Sequence, residues 1–100
     1  MLRVEICESA GTLILKLEGR FTGEDAERTR TLANNFTTSA KLLVDLTDVV
    51  FVDAAGEEVL SFFGRFGAEF AAPTSYALDV CERLSLSVAP QSGLNGVLGD

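Results

Sequence analysis

Residues 42–56 read LLVDLTDVVFVDAAG, and the fold turns on how this stretch is divided. Leu42, Leu43, Val44 and Leu46 form a β-prone apolar run that Asp45 interrupts. Val49 to Val52 form a second run, and Asp53-Ala54-Ala55-Gly56 then leads into an apolar segment with helical spacing. The order is a strand over 41–46, a bridge over 49–52, then a helix N-terminus, with a carboxylate at the turn. A helix start offers unpaired N–H groups and the positive end of a dipole, which suits it to hold or regulate negative charge.

Working outward, Leu2, Val4 and Ile6 alternate with Arg3 and Glu5, and Leu13, Leu15 and Leu17 alternate with Ile14, Lys16 and Glu18. Two strands are expected, over 2–7 and 12–18, joined by a turn at Ser9-Ala10-Gly11. Thr22 to Asp25 reads as a helix start, with Thr22 as N-cap and Asp25 at capping-box spacing. The apolar stripe of that helix is Ala26, Ala33 and Phe36, beside Thr29 and Leu32. The next helix is expected from Ala54 to Phe66, its core stripe Val59, Phe62, Phe63 and Phe66 widened by Leu60, with Gly67 closing it. A short strand over 69–72 follows. A third helix begins at Pro73-Thr74-Ser75, with Ala77, Leu78, Cys81 and Leu84 facing inward, and a last strand is expected over 85–88. The resulting order β-β-α-β-α-β-α-β predicts an α/β fold, a mixed sheet flanked by helices.

The central stretch resembles the heart of the STAS domain, the fold of bacterial anti-sigma-factor antagonists. In that family an apolar strand ending in Asp precedes a second apolar run and Asp-Ser-Ser-Gly or Asp-Thr-Ser-Gly, and a partner kinase phosphorylates the second hydroxyl residue. Asp53 and Gly56 match, whereas Ala54 and Ala55 stand where the hydroxyls would be. The resemblance spans about residues 2–88, which sets the expected domain as 1–88 and a C-terminal tail as 89–100, with the family's last helix missing. It implies a non-catalytic regulatory module that binds a protein and lacks the usual phosphorylation switch. The implied partner surface is Asp53, Ala54, Ala55, Gly56 and Glu57 with the Phe21-Thr22-Gly23 loop. The implied partner is an anti-sigma kinase-like protein, or alternatively the ATPase of a lipid-transport complex. Gly56, having no Cβ, is read as a point of close partner approach at which Arg would be tolerated by the helix.

Several residues carry two readings. Asp53 serves as a helix cap whether or not it also serves a partner. Asp45, inside an apolar run, needs partners and is expected to cap a turn or bond a loop N–H. Glu57 and Glu58 complement the helix dipole, or supply permanent negative charge to a basic partner. Thr47 is the alternative hydroxyl near the motif. The Phe62, Phe63, Phe66 and Phe70 cluster reads as core. One ring is expected to emerge at the surface and favour a homodimer, and a small apolar ligand beneath the rings is the sensing alternative.

Bulk properties narrow the classes. One hundred residues with 47% hydrophobic content make one domain with an ample core. A net charge of −7 argues against nucleic acid and anionic lipid as partners. No window reaches the length of a membrane span, and a cytoplasmic setting is expected. With no histidine, Ser-His and Cys-His catalysis is excluded within the chain, no metal or cofactor is expected, and catalysis is not expected. Cys7 and Cys81 read as two buried free thiols rather than a disulfide.

Overall fold

The structure is a computed structural model that describes residues 1–35 and 41–90. Its elements are β1 (Leu2–Ser9), β2 (Thr12–Phe21), α1 (Gly23–Asn34), β3 (Lys41–Val52), α2 (Ala54–Arg65), β4 (Glu69–Ala71) and α3 (Ser75–Arg83). The sheet has the spatial order β1-β2-β3-β4. β1 and β2 pair antiparallel through the two-residue turn Ala10-Gly11, both with positive φ (49° and 81°), so that Ser9 faces Thr12. Such a turn matches the twist of the strands it joins. β2–β3 and β3–β4 are parallel, with α1 and α2 as the crossovers. Both crossovers step in the same direction across the sheet, so their common hand puts both helices on one face. Arg83 of α3 reaches Glu57 of α2, and Ala77, Val80 and Cys81 join the same core, which places α3 beside them.

The core lies between this helical layer and one sheet face. Leu13, Leu15 and Leu17 of β2 alternate into it, as do Leu42, Val44 and Leu46 of β3. Phe21, Phe63 and Phe70 are its largest fully buried side chains. The opposite sheet face is open and carries charge, including Lys16 between Glu18 and Asp48 at 3.9 and 3.7 Å.

β3 is one strand across what the apolar pattern divides in two. Two residues of β2 (Lys16 to Glu18) span three of β3 (Asp45 to Asp48), and the register slips again between Gly19 and Arg20. Each extra residue reverses the inward parity. Val49 and Val52 thereby return to the core, while Asp48, Val50 and Phe51 face out. The Asp45 carboxylate accepts from the Thr47 N–H at 2.9 Å and the Thr47 hydroxyl at 2.6 Å, fixing the first bulge. The expected loop N–H partner of Asp45 is therefore this one.

Other expectations shift for local reasons. α2 ends in a Schellman turn: Gly67 has φ 87°, its N–H meets the Gly64 C=O, and the Ala68 N–H meets the Phe63 C=O. Phe66 is the C-cap and is 72% exposed rather than core. It stacks edge-on against half-buried Phe62, with centroids 4.7 Å apart. Leu78 also faces out, and Val80 takes its place inside, because i, i+3, i+4 from Ala77 is the stripe that meets the sheet. The last strand reduces to a single parallel bridge, Val88 to Phe70. Ser85 (φ 57°) and Leu86 are consumed by α3's own Schellman turn, whose N–H groups bond the Glu82 and Cys81 carbonyls. Phe36 and residues 91–100 of the expected tail lie outside the described residues.

The two thiols differ, correcting the expectation that both are buried. Cys7 is exposed on the open sheet face, and Cys81 is fully buried and free. Burial pushes the Cys81 thiol up from 9.0 to about 11. A water-soluble disulfide reagent at mildly alkaline pH should therefore label one thiol of the native chain rapidly and the second only on unfolding. Equal rates for the two thiols would contradict this packing.

Candidate functional site

Asp53 sits between the ends of β2 and β3 and the starts of two helices. It is the N-cap of α2, where its Oδ1 accepts from the Gly56 N–H at 2.8 Å and its backbone C=O accepts from the Glu57 N–H at 2.8 Å. The same carboxylate accepts from the Gly23 N–H, 3.3 Å from Oδ1 and 3.2 Å from Oδ2. Gly23 is the first residue of α1. Thr22 occupies the N-cap position of α1, but its side chain makes no capping bond, and Asp25 pairs instead with Arg28 at 3.1 Å. The expected local capping box is thus replaced by a cap from 30 residues away. Each helix N-terminus is equivalent to about half a positive charge, so one carboxylate between two is well matched.

Gly56 makes this junction compact. It is buried against the Phe21 backbone carbonyl, and a Cβ added there would fall within contact of that oxygen and 2.8 Å from Val52 Cγ1. The position is therefore neither a point of partner approach nor tolerant of Arg, contrary to the sequence-based expectation. Phe21 is likewise fully buried. Of the expected surface, Ala54 is exposed, and Thr22, Gly23, Asp53, Ala55 and Glu57 are partly so. Phe21 and Gly56 support that surface from beneath.

All eight expected site residues do converge at this junction, and three further groups complete it. The Tyr76 hydroxyl of α3 accepts from the Val52 N–H at 2.9 Å, fixing the strand end that precedes Asp53. Arg83 bonds Glu57 at 2.9 Å and Asp79 at 3.3 Å. Glu57 therefore does not present an uncompensated charge, which removes the reading of it as a stand-in for phosphate; Glu58 remains exposed. Thr74 caps α3 through the Ala77 N–H at 3.1 Å. Thr74 is visible as a helix-start residue in the sequence, whereas no local signal announces Tyr76 or Arg83. Thr47 is exposed and its hydroxyl donates to Asp45.

Beside the junction an open groove of about 650 Å³ runs along the outer face of α2, lined by Glu27 and Arg30 of α1, by Glu58, Phe62 and Arg65, and by Leu84. The Arg30 guanidinium lies 5.1 Å from the Phe62 ring centroid. Beneath it Phe63 and Phe70 are packed into the core. Among the described residues no three His, Cys, Asp or Glu side chains form a metal-holding group, and no helix is long and apolar enough to cross a membrane.

No protein-family model and no curated protein matches the chain. Solved structures do. The anti-sigma factor antagonist SpoIIAA in its unphosphorylated form aligns over 100% of both chains with a TM-score of 0.65 and 14% identity. An uncharacterized DUF3478-family protein with a SpoIIAA-like fold, from Shewanella loihica PV-4, aligns over 75% of this chain and 69% of its own, with a TM-score of 0.54 and 17% identity. Mglu aligns over 71% of this chain with a TM-score of 0.63 and 17% identity, but this chain spans only 20% of the Mglu chain. The fold is therefore STAS-like.

Proposed function

We propose that the chain is a non-catalytic, protein-binding regulatory module of the anti-sigma-factor antagonist type, working in the cytoplasm and lacking a phosphorylation switch at the motif. The end-to-end likeness to SpoIIAA supports this reading more than any other observation. The junction adds to it. Ala54, Ala55 and the Thr22-Gly23 turn form a small surface around two helix starts, held by a carboxylate that is already engaged. Such a surface can be read by a partner, but neither alanine can accept a phosphoryl group. The partner this implies is a kinase-like anti-sigma protein.

The test uses a kinase-like anti-sigma protein from the same genome. Wild-type chain should bind it calorimetrically, and Ala54→Arg, at an exposed position, should weaken binding at least about tenfold, or about 1.4 kcal/mol, without moving the thermal melt. With ATP present, intact-mass spectrometry should show no phosphate on wild-type chain and one on Ala55→Ser. Binding unaffected by Ala54→Arg would overturn the proposed surface. Stoichiometric phosphate on the wild-type chain would overturn the absence of a switch, and Thr47 would be the first residue to map.

A further inference from the structure

We propose that β1 is a self-recognition edge, through which two copies of the chain pair antiparallel about a two-fold axis at Val4 to continue the sheet. This does not depend on the function proposed above, because β1 lies across β2 from the Asp53 junction. β1 is the outer strand of the sheet. The Met1 carbonyl accepts from the Arg20 N–H at 3.3 Å, and in an antiparallel ladder the residues whose polar groups face the neighbour alternate. The odd residues of β1 therefore point their N–H and C=O groups toward β2. Those of Leu2, Val4, Ile6 and Glu8 point outward and find no strand partner among the described residues, a template for pairing. The side chains of Leu2, Val4 and Ile6 pack on the core but remain half-buried, since β1 packs chiefly on β2 rather than under a helix.

The sequence around Val4 is self-complementary in only one register. Centred on Val4, the outward groups of Leu2, Val4 and Ile6 meet the partner's Ile6, Val4 and Leu2. On the helical face every contact is then apolar. On the open face Arg3 meets the partner's Glu5, and Glu5 meets the partner's Arg3. These are non-hydrogen-bonded pairs, where opposed Cα atoms are about 4.5 Å apart and side chains are closest. Among the described residues Arg3 makes two loose pairs, at 3.4 Å to exposed Glu5 and 3.9 Å to half-buried Glu18. Centring on Ile6 would instead set Val4 against Glu8. Centring on Glu5 would oppose two Glu5 side chains on the open face and set Leu2 against Glu8 on the other. Few residues pair on each side, so the interface is at the small end and the dimer is a weak one.

The experiment is sedimentation velocity on the full chain from about 5 to about 500 µM, a range that brackets a micromolar dissociation constant. Wild type should pass from monomer to dimer. Val4→Pro deletes an N–H that serves no bond among the described residues, so it should stay monomeric while remaining folded. Arg3→Glu and Glu5→Arg should each weaken self-association at least about tenfold. An equimolar mixture of those two variants should associate again, because each now faces its complement. The charge swap keeps the proposal testable even if the proline variant melts early. A wild-type chain that stays monomeric throughout overturns it. So does a dimer indifferent to all these changes, which would place association elsewhere, with the Phe62–Phe66 surface as the next site to test.

Discussion

Gly56→Ala should cost about 3 kcal/mol or more of folding stability, although alanine is the best helix former and the position is helical. In an isolated helix this change would gain about 1 kcal/mol. Here the new methyl group would meet the Phe21 carbonyl oxygen, 2.8 Å would separate it from Val52 Cγ1, and 3.1 Å from Phe21 Cδ2. The obstructing oxygen belongs to the backbone at the end of β2, so relief requires α2 to lift from the sheet. For a domain of this size each kcal/mol moves the midpoint by about 4–8 °C, and the melt should fall by roughly 15 °C. Gly64→Ala on the same helix is the control. There the nearest atom is the tip of a flexible side chain, Leu86 Cδ2 at 2.9 Å, and the change should stay within about 1 kcal/mol of neutral. Equal melting temperatures for the two variants would show that the α2–β2 approach is looser than this.

Period and punctuation made much of the fold readable. The alternation of β2, the helical spacing from Val59 to Phe63, the glycine that closes α2 and the Asp53 cap all appear in the sequence because each is a local constraint. The bulges of β3 were not readable. An extra residue reverses alternation, and on paper Asp45 to Asp48 looks like the end of one strand and the approach to another. The phase of the α3 stripe is ambiguous in the sequence because Ala77-Leu78-Cys81 and Ala77-Val80-Cys81 are both helical patterns, and only the sheet's position decides between them. That one of the four rings emerges is legible in the sequence, but not that it is Phe66, because a stripe says nothing about where the partner layer stops. At the junction, Asp53 and Gly56 were visible as residues, but their neighbours were not. The bond from Asp53 to Gly23 spans 30 positions, and the closeness of Gly56 to Phe21 is a tertiary fact. Reading Gly56 as partner-facing followed from its missing Cβ. The inference that something approaches closely was sound, and the thing that approaches is the chain itself.

Asp53→Ala should release two helices at once. In an ordinary N-cap, loss of the side-chain acceptor costs about 1 kcal/mol. Here one carboxylate serves the Gly56 N–H of α2 and the Gly23 N–H of α1, so the expected loss is about 2–3 kcal/mol. Asp53→Asn separates the two roles. Its amide oxygen can keep the 2.8 Å bond to Gly56 and the 3.3 Å contact to the Gly23 N–H, but its NH₂ group would replace the Oδ2 acceptor 3.2 Å from the same N–H, donor against donor. That variant should lose about 1 kcal/mol, mostly at α1. Hydrogen exchange locates the damage. In Asp53→Ala, exchange should quicken at the starts of both α1 and α2; in Asp53→Asn it should quicken chiefly at α1. Fraying confined to α2 in both variants would show that Gly23 does not depend on this carboxylate, and that Asp53 is only a local cap. Fraying of α1 in both would tie the Phe21-Thr22-Gly23 turn to Asp53 as one unit. A partner reading the Ala54 surface would then meet a turn whose shape is set by the same residue that starts α2.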